Sequence, residues 1–426
     1  MNNKRLFSVI LIVFIDLLGF SLILPLLPYY AEKYGATQLV VGLLVASYAA
    51  MQLIGAPILG RLSDRFGRRP ILLASVLGTF IGFLLLGFAD PLGTALARTF
   101  NPQAANLFVL AILFISRMVD GLTGGNLSVA QAYISDVTDA QNRSKGLGMI
   151  GAAFGLGFII GPATGGLLSQ WGYGVPAFLA ALLSFSNLML IYFWLPESLT
   201  PEKRAAMPEK RPAVNLDALL KALQRPFSGS LLITRFFFGL AFAIFQTMFA
   251  AYALQRFQLT ARDTGFVLTY VGVLSVFVQG FLIGRITKLV REDILITVSV
   301  VVMAVSLLGW ALVPSVLWLL IVLTPTAVAG GLLNTILSST LTKAVQPQEI
   351  GGILGLAASI ESSTRIVAPI LGGYLLGSIG AWAPGAFGAA LLAVLSIYVW
   401  RMIYDHPIAA DIRAKAVVQA NASAGH

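Results

Sequence analysis

Long apolar runs alternate with short polar loops along the whole chain. A helix needs about 20 mostly apolar residues to cross the hydrocarbon core of a bilayer. Twelve segments meet that requirement: 6–30, 38–60, 71–89, 106–127, 146–168, 174–195, 229–255, 264–284, 293–313, 316–342, 351–375 and 382–402. Backbone groups in lipid must pair within their own segment, so each run predicts an α-helix. The first run follows Lys4 and Arg5, as a secretion leader would. It is too long for a leader and ends on no small-residue cleavage site, so it reads as an uncleaved span. The expected fold is an all-α polytopic membrane protein with twelve transmembrane helices in two six-helix halves.

Loop charge then orients the spans. With the N-terminus inside, Lys33, Arg98, Arg256 and Arg262 are the loop cations on the outer side, against 21 on the inner side. Cytoplasmic loops carry the excess of Lys and Arg, so both termini are expected in the cytoplasm. The one long polar stretch, 196–228, holds Pro196, Pro201, Pro208, Pro212 and Pro226 and reads as a linker. The expected organisation is a bundle over 1–195, the linker 196–228, a second bundle over 229–402 and a cytoplasmic tail over 403–426.

Composition narrows the function classes. The 426 residues are 58% hydrophobic and only 11% charged, where a soluble chain carries about 25% charged residues. The net charge of +10 sits in short loops between spans, which signals topology and not nucleic acid. There is no cysteine, and His406 and His426 both lie outside the spans. Thiolate or histidine metal sites, triads and nucleotide loops have no residues to build them. The expectation is a non-enzyme without cofactor or metal, taken as a monomer.

The two halves echo each other. Gly124-Gly125 in the fourth span has a counterpart in Gly330-Gly331 of the tenth, and Pro162-Ala-Thr-Gly165-Gly166 in the fifth matches Pro369-Ile-Leu-Gly372-Gly373 in the eleventh. Gly60-Arg61 after the second span pairs with Gly284-Arg285 after the eighth. Ordered matches at corresponding positions favour duplication over chance.

Charges at membrane depth are rare and usually functional. Asp16, Arg117, Asp120, Arg235, Glu361 and Arg365 are the candidates. Asp16 lies about 15 Å into its span, near the midplane. Asp16 is either a proton site tuned by burial and a competing Arg117, or one half of a permanent Asp16–Arg117 ion pair. Asp120, one turn from Arg117, could simply neutralise it, and Glu361 and Arg365 have the i, i+4 order of a helix ion pair or of a substrate contact. Arg235 reads as a snorkelling residue near the cytoplasmic end of its span. Tyr48, Gln52, Asn126, Gln131, Gln279 and Asn334 are polar cavity candidates, and Phe236, Phe237, Phe238, Phe242, Phe245, Gln246 and Phe249 cluster in the seventh span. Sparse polar groups beside aromatics suit an amphiphilic ligand, although aromatic residues also face lipid. Gly157 and Gly161 have the spacing that lets helices approach closely, and Pro162 invites a kink.

Several of these runs resemble known signatures. Gly60-Arg61-Leu62-Ser63-Asp64-Arg65-Phe66-Gly67-Arg68-Arg69-Pro70 resembles the loop signature of the major facilitator superfamily, and Arg117-Met118-Val119-Asp120-Gly121 its fourth-span signature. Gly157 to Gly166 resembles the fifth-span antiporter signature, and Asp16-Leu-Leu-Gly19 with Pro25 is similar to the first span of twelve-span drug–proton antiporters, tetracycline efflux proteins above all. The likeness is strongest over 8–195. Gly82 stands where the tetracycline exporters carry an acidic residue, and no histidine lies in any span. The resemblance implies a proton-coupled exporter of small amphiphilic compounds, with Arg117 as the partner that competes with the proton on Asp16. It implies a conformational latch built from Gly60, Asp64, Arg65, Gly67, Arg68 and Arg69, where the residues alone also allow a purely topological role. It implies that Gly157, Gly161, Pro162, Gly165 and Gly166 seal one conformation. An importer of a small metabolite such as a sugar, and a non-transporting receptor or lipid scramblase, remain alternatives.

Overall fold

The computed structural model of the chain describes residues 3–138, 140–199, 222–225, 227–346 and 349–405; the side chains of 3–5, 140–145 and 147 fall outside that description. Most of the expected linker and nearly all of the expected tail therefore lie outside the described residues. Twelve helices are long and apolar enough to cross a membrane. They are α1 Leu6–Lys33, α2 Gln38–Phe66, α3 Arg68–Gly87, α4 Pro102–Val137, α5 Gly148–Trp171, α6 Gly174–Trp194, α7 Ser228–Phe257, α8 Ala261–Leu289, α9 Glu292–Leu312, α10 Val316–Lys343, α11 Ile350–Ser378 and α12 Ala383–Tyr404. No strand occurs among the described residues. The largest departures from expectation are extensions: α4 runs on to Val137, α2 to Phe66 and α8 to Leu289.

Local chemistry explains the interruptions. Pro25 replaces a helical turn of α1 by a 3-10 turn, Leu24–Leu26, because proline lacks the N–H that an α-helix needs. Gly124-Gly125 splits α4 into Ala105–Thr123 and Asn126–Val137. A π-helical turn, Val278–Leu282, interrupts α8. The sequence reading missed the amphipathic helix Ala89–Phe100, which is too short and polar to cross the membrane.

The helices pack as two compact units: 1–210 with 246–276 and 366–381, and 211–245 with 277–365 and 382–426. These units cut across the expected halves. In the first, Leu22, Leu44, Phe83 and Leu113 form one buried cluster, and Val9, Leu72, Tyr133 and Ile191 another. Segments of α7, α8 and α11 join this unit at the end opposite the termini. A Cβ on Gly42 of α2 would overlap the Pro369 carbonyl, one on Gly373 the Gln38 carbonyl, and one on Gly265 the Pro162 carbonyl. The Tyr29 hydroxyl bonds Thr264 Oγ1 at 2.5 Å and donates to the Leu259 carbonyl at 3.0 Å. Near the other end of the same unit, a Cβ on Gly60, Gly148 or Gly151 would meet nothing within 4 Å. In the second unit Trp310 is fully buried, with the Phe245 ring edge-on at 5.2 Å.

Candidate functional site

Asp16 sits half-buried in the middle of α1. The Asn126 side chain hydrogen-bonds it, and Asp120 is close enough to repel its charge. The restart of α4 at Asn126 fixes this geometry. Asn126 Oδ1 accepts from the Leu127 N–H at 2.8 Å, which leaves its amide N–H groups to face the carboxylate. Arg117 is not the partner of Asp16. Its Nη1 pairs with Asp120 Oδ2 at 3.1 Å, with both side chains buried, and its guanidinium lies 5.4 Å from the centre of the Phe83 ring. A buried pair within one helix satisfies both charges locally. Gly82 of α3 faces this pair, and a Cβ there would come within 2.9 Å of Asp120 Cβ. Alongside, Gln52 donates to the Gly124 carbonyl at 2.9 Å and to Tyr48 at 3.2 Å, and the Tyr48 ring meets Phe20 at 5.2 Å. Asp16, Tyr48, Gln52 and Asn126 thus lie in one packing unit, around the break in α4.

The loop motif forms a closed ionic cluster at the termini end of the same unit. Gly67 joins α2 to α3 at φ +106°, a region that L side chains rarely adopt. This turn buries Arg68, whose Nη1 reaches Asp64 Oδ1 at 2.6 Å and Ser63 Oγ at 2.7 Å, while its Nε reaches Asp136 Oδ2 at 3.1 Å. Glu197 caps α3, its two oxygens accepting the Arg68 and Arg69 N–H groups at 2.9 and 3.0 Å. A carboxylate at a helix N-terminus pairs with unsatisfied amides and with the positive end of the dipole. Arg69 hydrogen-bonds the Ile191 and Tyr192 carbonyls at the end of α6. The Gly60 carbonyl accepts from Ser63 Oγ at 2.7 Å, while a Cβ on Gly60 would face open space, and Arg65 lies 5.3 Å from the Phe66 ring centre.

In α5, glycine permits close approach on two sides. Ser21 Oγ donates to the Gly157 carbonyl at 2.8 Å. A Cβ on Gly161 would overlap Ser21, and one on Gly165 the Leu22 carbonyl, so this stripe seats against α1. Gly166 instead faces α8, where a Cβ would meet the Ala261 carbonyl at 2.8 Å. Pro162 brings its carbonyl to Gly265 of α8.

In the second unit Glu361 bridges two arginines. Its Oε2 takes Arg235 Nη2 at 3.1 Å and its Oε1 takes Arg365 Nη2 at 2.7 Å. Arg235 Nη1 also donates to Ser338 Oγ at 2.8 Å. Arg235 therefore does not snorkel: its partners lie on α10 and α11, and only 14% of its side chain is exposed. Phe242 stacks on Phe238 at 5.6 Å, against Gly330. Asn334 is exposed in this unit, and Gln246 is exposed in the first.

The sequence pattern of the Major Facilitator Superfamily matches residues 9–368, with a second match over 231–423. The chain belongs to the Major Facilitator Superfamily. It is therefore an integral membrane transporter. It is 32% identical over 413 residues to the tetracycline resistance protein, class H, of Pasteurella multocida, covering 93% of this chain and 95% of that one. It is 30% identical over 380 residues to solute carrier family 22 member 18 of Mus musculus, covering 88% and 90%. It shares its fold with the crystal structure of the human organic anion transporter MFSD10 (TETRAN), at TM-score 0.67 and 23% identity, covering 93% of this chain and 99% of that one.

Three partners in this facilitator escaped the sequence reading: Asp136, Glu197 and Ser198, whose Oγ donates to Asp136 Oδ2 at 3.0 Å. Asp136 ends α4 and Glu197 follows α6, so both looked like ordinary loop charges. The available signal was the order Pro196-Glu197-Ser198 directly after an apolar span, with a carboxylate placed to cap a neighbouring helix.

Proposed function

We propose that this facilitator exports small amphiphilic compounds in exchange for protons, by alternating access, from the cytoplasm of a bacterium across its inner membrane. Both termini are cytoplasmic, and the unit of function is one chain without cofactor. The observation that carries the reading is the environment of Asp16. A carboxylate near the midplane has a neutral Asn126 as its hydrogen-bond partner and a repelling Asp120 nearby, while Arg117 is committed to Asp120. Such a group can shed its charge by taking a proton, and a charge at this depth costs enough to couple that event to conformation. The membrane potential supplies part of the drive, since one charge moving through 100 mV gains about 2.3 kcal/mol. Kinship with a tetracycline resistance protein supports export.

The test uses proteoliposomes loaded with a pH-sensitive dye under an imposed pH gradient, with lipophilic cations, tetracyclines, organic anions and sugars added in turn. Substrate-induced proton release by the wild type, absent in Asp16→Asn, is the expected result. Solute movement without proton movement in either protein sinks the antiport reading and leaves an uncoupled carrier. Proton and solute moving in the same direction make it an importer.

A further inference from the structure

We infer that the Arg235–Glu361–Arg365 cluster is a binding site for the anionic group of an organic substrate. Two guanidiniums share one carboxylate, so the cluster carries a surplus positive charge. Arginine stays protonated in proteins, so this surplus persists. Arg365 lies near the middle of α11, about 20 Å from either end at 1.5 Å per residue. Its side chain is nevertheless 51% exposed. An ionised group at that depth faces water or a ligand, not hydrocarbon. Glu361 engages one of the five N–H donors of Arg365, and Nε of Arg235 is buried without a partner. The fork geometry of the unused Arg365 donors suits a carboxylate, sulfonate or phosphate oxygen pair.

Packing supplies an apolar neighbour for the rest of the molecule. Arg235, Gly239 and Phe242 share one face of α7. Gly239 seats that face on α11, its would-be Cβ 3.5 Å from Thr364 Oγ1. Half-buried Phe242, stacked on buried Phe238, therefore lies two turns from Arg235. An anion with an apolar body fits both features. A lone inorganic ion uses only the first, and a lipophilic cation is repelled by it.

This narrows the export reading and rests on it for the word substrate, but binding is measured without any gradient. Purified full-length protein in phosphatidylcholine nanodiscs is titrated with an aryl-alkyl carboxylate, its amide and the matching amine, following intrinsic tryptophan fluorescence. The carboxylate is expected to bind about 10- to 100-fold more tightly than the amide, the range of charge-assisted hydrogen bonds, with the amine weakest. Arg365→Gln should erase the preference and Arg365→Lys should keep part of it. The wild-type series decides even if Arg365→Gln does not fold: equal binding of the three compounds, or preference for the amine, overturns the proposal. A preference that survives in folded Arg365→Gln also overturns it. So does displacement of the carboxylate by stoichiometric phosphatidylglycerol, because the anion held would then be a lipid headgroup.

Discussion

Replacing Glu197 by alanine removes the cap of α3 and unfastens the turn that follows α6. Its carboxylate accepts the N–H groups of Arg68 and Arg69 at 2.9 and 3.0 Å and those of Ser198 and Leu199, both at 3.0 Å. A lost N-terminal cap costs about 1 kcal/mol and the missing charge at the dipole up to about 1 kcal/mol more. The half-exposed position lets water replace part of this, so the sum is about 1–2 kcal/mol. At the conversion for domains of ~200 residues, the thermal midpoint should fall by about 2–8 °C. Glu197→Gln tests the chemistry more sharply. Its one oxygen still accepts, but its amide sets a donor against a backbone N–H, so it should recover less than half of the loss. The assay is thermal unfolding of detergent-purified protein followed by intrinsic fluorescence. A Glu197→Gln protein as stable as wild type would refute the capping argument. An unchanged Glu197→Ala protein would show that water satisfies these amides equally well.

The remaining predictions concern packing, gating and acid. Gly161→Ala should destabilise by about 1–3 kcal/mol, because its Cβ overlaps Ser21; Gly157→Ala, whose nearest contact is an ordinary 3.4 Å, should be nearly neutral, and thermal midpoints compare the two. The natural chain has no cysteine, so single cysteines report access cleanly. Gly148→Cys should react with a maleimide, Gly265→Ala should raise that of a cysteine placed at Ala261 by loosening the Pro162 contact, and Tyr29→Phe should do the same by releasing the Thr264 bond. Hydrogen bonding from Tyr34, helped by Lys33, holds the Asp90 carboxyl below its ordinary value of 3.8. A depressed carboxylate stabilises above its ordinary value and loses that contribution as pH falls through the folded one. The thermal midpoint gap between wild type and Asp90→Asn should therefore be present at neutral pH and vanish well below 3.8.

Hydropathy alone was enough to place all twelve spans, because insertion into lipid is decided segment by segment from local composition. Rarity alone singled out Asp16, Arg117, Asp120, Glu361 and Arg365, since a charge in an apolar run costs too much to be incidental. Glycine spacing in α5 marked a close-packed face. The pairs within one helix, Arg117–Asp120 and Glu361–Arg365, were legible as candidates from their spacing, but the pairs between helices were not. Arg235 looked like an interfacial residue until α10 and α11 brought Ser338 and Glu361 to it. Glu197 meets Arg68 across 129 positions of sequence, and α8 and α11 join α5 and α2 through close glycine contacts. Such contacts depend on how helices distant in the chain are rotated and set against one another. That choice is made by shape and by charge satisfaction over the whole bundle, and no local pattern of residues encodes it.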